Sequence, residues 1–285
     1  MIRWSDDTRR ADLKVLWKYC FPDDTDLFID FYFENVYRND ETLLLLNENR
    51  PVASLQMIPY NIKTGKTVWR AGYISGAMTH PAFRQRGYMG RLLDRAFHTM
   101  RGKGYACTFL IPQRKDLQDF YAKRGYLPAF PEHACETVEA ASLPAAGKAA
   151  DVRIFTDYRS VDLPAFHALY ARFLSAKTNA VLKTERQTGL VLFDFFSEGG
   201  VLFACREGIA FTFREKEAIV LKEFFYNKEE NRRALLRAAF DYYLLPRARI
   251  LNAPGAPVTG YRGMIKRLDC PATLPGDLYM RMMLD

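Results

Sequence analysis

The most informative segment of the sequence is Arg84-Gln85-Arg86-Gly87-Tyr88-Met89-Gly90-Arg91-Leu92-Leu93. It follows a strand pattern at 67–79 and leads into an amphipathic helix pattern that runs to about Arg101. A strand, a basic loop and a helix start present backbone N–H groups to a phosphate, because the first helical N–H groups have no partner within the helix. Gly87 lets the backbone approach a ligand closely, and Arg84 and Arg86 add positive charge. The stretch therefore predicts a phosphate-binding loop.

A second motif lies downstream, after an apolar strand pattern at 105–111. It reads Asp119-Phe120-Tyr121-Ala122-Lys123-Arg124-Gly125-Tyr126. The first motif resembles the pyrophosphate loop of the GNAT acetyltransferase family, Q/R-x-x-G-x-G/A, and the second resembles the F-Y-x-x-x-G-F/Y motif of that family. The gap between the motifs is about what the intervening helix and strand of the family require.

The resemblance implies a cofactor, a fold and a set of site residues. The cofactor is acetyl-CoA, which serves as the co-substrate of an acetyltransferase. The backbone of Ala77, Met78 and Thr79 would pair with the pantetheine arm as an added strand would. The pyrophosphate would be held by the N–H groups of Arg84, Gln85, Arg86, Gly87, Tyr88, Met89 and Gly90. Tyr121 would be the catalytic acid that gives a proton to the departing CoA thiolate, since a phenol is protonated at neutral pH.

More narrowly, the chain resembles the branch typified by the enhanced-intracellular-survival (Eis) acetyltransferases, which carry tandem GNAT-like domains. Three features carry this resemblance: 73–81 ahead of the loop, Arg86-Gly87-Tyr88-Met89 in place of G-x-G, and a second half that ends in 277–282. Met89 is interpreted as a tolerated variant at a position where most members have Gly or Ala.

The general base that takes a proton from the attacking amine is left open. Larger members of this branch use the terminal carboxylate of a sterol-carrier-type domain, which is not expected in this chain. A carboxylate or a chain of bound waters could accept the proton. The candidates in this sequence are Glu34, the terminal carboxylate of Asp285, His80 and His133. No covalent intermediate is required, because the amine can attack the thioester directly in a ternary complex.

On both sides of the motifs, strand and helix patterns alternate along the chain. The predicted helices lie at 12–19, 26–37, 88–101, 116–123, 164–175, 190–196 and 228–245. The predicted strands lie at 42–46, 51–60, 67–79, 105–111, 126–139, 201–206, 209–214, 218–226, near 250 and at 277–283. This order predicts an α/β (α+β) class with tandem GNAT-like acyl-CoA N-acyltransferase domains, each a mixed sheet flanked by helices.

The predicted domain boundary is an alanine-rich linker at 140–150. We expect a catalytic GNAT acetyltransferase domain at 1–140 and a degenerate GNAT-like domain at 151–285. The second domain has no basic glycine loop, since 227–233 carries two acidic residues where a phosphate would lie. It is therefore expected to bind no CoA and to help form the acceptor pocket.

Composition excludes several other classes of protein. Apolar residues make up 49% of the 285 residues and charged residues 26%, which is typical of a globular protein. The N-terminus has no apolar leader, and no apolar run is long enough for a spanning helix, so a cytoplasmic protein without membrane contact is expected. Five scattered cysteines and four histidines favour neither disulfides nor a metal site. The net charge of +8 is dispersed among acidic residues, so no nucleic acid partner is expected.

The predicted function is transfer of the acetyl group of acetyl-CoA to an amine, which could belong to a small molecule or a peptide. Oligomers are possible. One alternative is a non-catalytic sensor or scaffold that binds acyl-CoA. It would share the loop with the enzyme and would differ only in the parts played by Tyr121 and the base. The other alternative is a transferase that uses aminoacyl-tRNA, against which the pyrophosphate loop argues.

Overall fold

The computed structural model describes residues 1–144, 151–253, 255–269 and 274–284. In the first part of the chain the elements are β1 Ile2–Trp4, α1 Arg10–Cys20, α2 Asp26–Asn35, β2 Thr42–Asn47, β3 Arg50–Thr64, β4 Thr67–Thr79, α3 Tyr88–Gly102, β5 Cys107–Leu110 and α4 Lys115–Ala122. The remaining elements are β6 Leu127–His133, β7 Glu136–Glu139, β8 Arg153–Phe155, α5 Leu163–Ala176, β9 Asn179–Leu182, α6 Glu185–Ser197, β10 Val201–Cys205, β11 Gly208–Glu215, β12 Ala218–Tyr226, α7 Glu229–Tyr243, β13 Arg247–Ile250 and β14 Val258–Arg267. None of the helices in these described ranges has both the length and the apolar character that crossing a bilayer requires.

The chain forms two compact units. The first unit contains residues 1–129, 263–269 and 274–276. The second unit contains residues 130–262, apart from those not described, and 277–284. The expected roles of 1–140 as catalytic domain and 151–285 as degenerate domain stay predictions.

The sheet of the first unit has the strand order β1-β2-β3-β4-β5-β14. Strands β4 and β5 are parallel, and the other neighbours in this order are antiparallel. A parallel pair needs a crossover connection, which α3 supplies. The buried face of α3 packs on one side of the sheet through Leu92, Leu93, Ala96, Phe97 and Met100. Helices α1 and α2 form a second cluster that includes Leu13, Trp17, Tyr32, Phe33, Leu44 and Met78.

The second unit repeats this arrangement. Its sheet has the order β7-β13-β12-β11-β10-β8, and only β12 and β13 in this order are parallel. Helix α7 connects the parallel pair, as α3 does in the first unit. It buries Leu235, Leu236, Ala239 and Phe240 against the sheet. Helices α5 and α6 contribute to a separate aromatic cluster that contains Phe166, Phe173, Phe195 and Phe211. The predicted α/β class with tandem GNAT-like domains is confirmed.

Several boundaries differ from the sequence-based expectations. The predicted terminal strand at 277–283 is wrong, because only Tyr279 forms a bridge there, to Ala180 in parallel. Strands β1, β8, β9 and β14 were not predicted; the first three have only three or four residues. The predicted linker at 140–150 begins with a short 3-10 turn at Ala140–Ser142, and 145–150 lie outside the described residues.

Candidate active site

Strand β4 leaves one backbone edge open at its end. It pairs with β5 only from Ala71 to Tyr73, although it continues to Thr79. Beyond a bend at Gly76, whose φ is +54°, its other edge pairs with β3, with Met78 opposite Ser54. The Trp17 ring lies under this bend, so a Cβ on residue 76 would come within 2.9 Å of ring atom Cζ3. The backbone of the predicted residues Ala77, Met78 and Thr79 therefore has one edge that β5 does not cover, although the Thr79 carbonyl already accepts hydrogen bonds from Arg84 Nε and Cys20 Sγ.

The predicted phosphate loop follows this strand. A short 3-10 turn at Pro81–Phe83 leads to Gln85 and Gly87, whose φ values are +63° and +73°. Gly87 is the N-cap of α3, and no side chain caps this end. The first helical bond runs from the Arg91 N–H to the Gly87 carbonyl at 3.1 Å. The N–H groups of the preceding first turn have no carbonyl partner within the helix and are available to an anion.

Gly87 is required by the backbone conformation rather than by the space around it. A Cβ built there would meet no protein atom within 4 Å. L-residues with side chains adopt a φ near +73° only at a cost, so glycine is favoured. The space next to the loop therefore remains open for a ligand.

Two arginines bring positive charge to the loop. Arg84 Nε donates a hydrogen bond to the Thr79 carbonyl at 3.2 Å, and the guanidinium of Arg86 lies 5.1 Å from the centre of the Phe83 ring. Both residues are exposed. Within the part of the chain that the structure describes, neither forms an ion pair with a carboxylate. Their charge is thus not neutralised by those residues and can act on an anionic ligand.

A cleft of about 290 Å³ joins the strand edge, the loop and α4. Nine of the ten predicted cofactor residues line it: Ala77, Met78, Thr79, Arg84, Gln85, Gly87, Tyr88, Met89 and Gly90. Arg86 is the one predicted residue that does not. Tyr121, the predicted acid, also lines the cleft, so the two sequence motifs meet at one site.

Tyr121 lies on α4 and is 7% exposed. Its ring makes edge contacts with Phe120 and Tyr126, at centroid distances of 5.2 and 5.7 Å. Burial raises the pKa of Tyr121 to about 12, and the positive charge of Arg124 opposes part of this rise. The phenol is therefore protonated at neutral pH and is able to act as a proton donor.

Seven further residues line the same cleft and were not among the predicted site residues: Cys20, Phe21, Phe83, Gln113, Arg114, Leu117 and Phe120. Leu117 could have been found from the sequence, because it lies three and four residues before Phe120 and Tyr121 and so shares their helix face. Cys20 and Phe21 come from the end of α1, and only tertiary packing brings them here. Burial raises the pKa of the Cys20 thiol, which keeps it in the less nucleophilic form.

The candidates for the general base are scattered. Glu34 is exposed at the end of α2, and His80 accepts a hydrogen bond from the Ala82 N–H at 3.2 Å. His133 belongs to the second unit, where its Nδ1 lies 2.8 Å from the Ala256 carbonyl oxygen. None of these three lines the cleft. Asp285 lies outside the described residues.

The second unit differs at the place that corresponds to the loop. Two residues, 227–228, connect β12 to α7, whereas eight residues, 80–87, connect β4 to α3. The first turn of α7 carries Glu229 and Glu230, and Arg232 is paired with Glu136. This connection is shorter than the loop of the first unit, and two acidic side chains follow it. The expectation that this unit binds no CoA stays a prediction.

Metal ligands are not grouped in the described parts of the chain, where no three His, Cys, Asp or Glu side chains could hold one ion. The expectation that no metal takes part in the reaction stays a prediction.

An open strand edge, an uncapped helix start after a glycine-containing loop and a buried phenol on a mixed sheet are the features of an acyltransferase of the GNAT type. Residues 2–129 match the family model described as an acetyltransferase (GNAT) domain, which spans nearly the same residues as the N-terminal segment of the first unit. This part of the chain is therefore identified as similar to a GNAT acetyltransferase domain. The resemblance is thereby confirmed, and the protein is an acyltransferase. No curated protein sequence matches the chain.

Solved structures share the fold over almost the whole chain. A GCN5-related N-acetyltransferase from Kribbella flavida is 18% identical with a TM-score of 0.76, covering 95% of this chain and 71% of that one. Eis1 from Mycobacterium abscessus is 13% identical with a TM-score of 0.72, covering 94% of this chain and 74% of that one. A tandem GNAT protein from the clavulanic acid biosynthesis pathway is 10% identical with a TM-score of 0.54, covering 96% of this chain and all of that one.

Proposed function

We propose that this protein transfers the acetyl group of acetyl-CoA to an amine of a small molecule or a peptide. The observation that carries the proposal is the cleft, in which an open strand edge, an uncapped helix start and a buried phenol occur together. These are the three parts that binding and cleaving an acyl-CoA thioester require. Residues 1–140 form the catalytic domain, and 151–285 form a degenerate GNAT-like domain without a cofactor of its own.

In this proposal the cofactor is held mainly by backbone groups. The pantetheine amides pair with Ala77, Met78 and Thr79, because β4 presents an edge there that β5 does not cover. The pyrophosphate lies on the N–H groups of 84–90, where the helix dipole favours negative charge. Arg84 adds a full charge from within the cleft, and Arg86 adds one from beside it.

The chemistry then needs two proton transfers. The neutral amine attacks the thioester carbonyl, so a C–N bond forms and the C–S bond breaks. Tyr121 gives its proton to the departing sulfur, and the excess proton of the amine leaves through a base or water. The buried phenol is suited to the acid role because its pKa lies well above neutral pH.

Calorimetric titration with acetyl-CoA tests the cofactor site. The wild type should bind, and Arg84→Ala/Arg86→Ala should bind roughly 10- to 100-fold more weakly, since each lost charge-assisted bond is worth about 1.5 kcal/mol or less at an exposed site. The matched control is Arg95→Ala/Arg159→Ala, which removes the same charge from two exposed arginines that do not line the cleft.

A screen of amines, with free CoA thiol measured as the product, then tests transfer. Binding without any thiol release would favour the sensor alternative. Absence of acetyl-CoA binding by the wild type would contradict the proposed cofactor site.

A further inference from the structure

Arg124 lies just beyond the C-terminal end of α4, and its backbone N–H donates a hydrogen bond to the Tyr121 carbonyl at 2.9 Å. Its Nη1 donates a hydrogen bond to the Phe120 carbonyl at 2.9 Å. Its guanidinium carbon lies 3.7 Å from the centre of the Phe120 ring, which is a close cation–π stack. The same side chain therefore fixes both the backbone and the ring of the residue that precedes Tyr121.

The other side of this guanidinium faces α3. A Cβ built on Gly90 would lie 2.6 Å from Arg124 Nη2 and 3.5 Å from Cζ. A side chain at residue 90 would therefore displace the Arg124 guanidinium from this position, and Gly90 is buried in the first turn of α3. Arg124 thus lies between the helix that starts at the phosphate loop and the helix that carries the phenol.

The charge of Arg124 is not neutralised by nearby acids. Among the ion pairs of the described ranges, none includes Arg124. Its positive charge is the one electrostatic influence that opposes the effect of burial on the Tyr121 phenol. A partly buried charge without a counter-ion acts more strongly on a buried neighbour than an exposed one does.

We propose that Arg124 is a positioning residue for acyl transfer, which holds Tyr121 against the loop helix and stabilises the phenolate that remains once the proton has moved to sulfur. This inference rests on the proposed function, in which Tyr121 is the acid. The proton balance requires such a phenolate: when the O–H proton bonds to the departing thiolate, the negative charge passes to the tyrosine oxygen. The charge persists until a proton derived from the amine or solvent restores the phenol.

A double-mutant cycle separates this role from simple packing. We expect Tyr121→Phe to lower kcat about 100-fold and Arg124→Met to lower it about tenfold. If Arg124 acts through Tyr121, adding Arg124→Met to Tyr121→Phe should lower kcat by less than about threefold more, because the phenolate it stabilises is gone. The KM for acetyl-CoA should change less than about twofold in Arg124→Met, since the loop itself is intact.

Two further variants complete the design. Arg124→Lys keeps the charge but loses the planar stack and the bond to Phe120, and its kcat should lie between those of the wild type and Arg124→Met. Lys123→Met removes the same charge from the exposed neighbouring residue, and its kcat should match that of the wild type. Thermal unfolding of each variant identifies any that fails to fold, in which case Arg124→Lys is used in the cycle.

If the kcat of the double variant falls by the product of the two single effects, about 1,000-fold, Arg124 does not act through Tyr121. That result would overturn the inference. Wild-type kcat in Arg124→Met would overturn it as well, while leaving the proposed function intact if Tyr121→Phe is impaired. Absence of acetyl transfer by the wild type would instead overturn the proposed function, and this inference with it.

Discussion

At the scale of single residues, the phenol of Tyr121 is kept neutral by its surroundings. Aromatic rings and the cleft surface replace water around it, and charge in such an environment is costly. The pKa of about 12 means that the protonated form dominates through the whole range in which the protein can be assayed. An acid of this kind is never limited by its own ionisation.

The pH dependence of kcat tests this. Because the pKa of Tyr121 is raised, the acid stays fully protonated up to about pH 10, and no alkaline loss of activity should arise from it. The profile should rise with pH as the acceptor amine and the base lose protons, and then level off. An alkaline limb below pH 10 that disappears in Tyr121→Phe would show that the phenol loses its proton in this range and would contradict its raised pKa.

At the scale of elements, the bend of β4 fixes the open edge of the cleft. Trp17 lies beneath Gly76 and cannot easily move, because its Nε1 donates to Asp24 at 2.6 Å and its ring packs on Tyr32 at 4.6 Å. The bend therefore depends both on the positive φ of Gly76 and on the absence of a side chain there.

Gly76→Ala should consequently destabilise the fold more than the same substitution at a glycine that has a positive φ but no neighbouring protein atoms. We expect a loss of about 2 to 4 kcal/mol in the free energy of unfolding, from backbone strain together with overpacking. Gly65→Ala is the control, because residue 65 also has a positive φ, +59°, but no protein atom within 4 Å of a built Cβ; its loss should be about 1 kcal/mol. Urea unfolding measures both, and equal losses would show that Trp17 moves aside.

The two halves of the site were predictable to different degrees. The loop and Tyr121 could be predicted from the sequence because each motif is local. The glycines, the charged residues and the helical spacing of apolar residues all lie within about ten residues of one another. The part of the cleft lined by Cys20 and Phe21 could not be predicted, since these residues reach it only after α1 packs on the sheet. Strand β14 was missed for a similar reason: Gly260 and Gly263 interrupt its apolar pattern, and its partner β5 lies about 150 residues earlier.

At the scale of the whole molecule, a buried acid anchors the end of the described chain to the second unit. Glu223 on β12 is 2% exposed and accepts a hydrogen bond from the Tyr279 hydroxyl. Its other carboxyl oxygen has no hydrogen-bond partner in the described residues. Asn179 and Lys183 also hold this segment, through the Asp277 carboxylate at 2.8 Å and the Arg281 carbonyl at 2.6 Å.

Glu223 should make stability depend on pH. Burial raises its pKa to about 7, against the opposing charges of Arg281, Lys183 and Lys177. The folded state therefore binds a proton that the unfolded state releases above about pH 4.5, so this contribution to stability is lost as pH rises through about 7. The wild type should therefore lose about 2 kcal/mol of stability relative to Glu223→Gln as the pH is raised from 5.5 to 8.5.

Urea unfolding at the two pH values measures this change, with the exposed Glu230→Gln as the control that should show none. A pH-independent difference between Glu223→Gln and the wild type would mean that the carboxyl does not change its protonation over this range.

The pairing of β14 with β5 has a consequence for synthesis of the chain. While the ribosome makes the protein, β5 is complete long before Met264 to Arg267 emerge to cover its edge. An uncovered strand edge is a template for pairing with other nascent chains. The GNAT sheet must therefore remain unfinished, and in need of protection, until translation has passed well beyond the GNAT sequence itself.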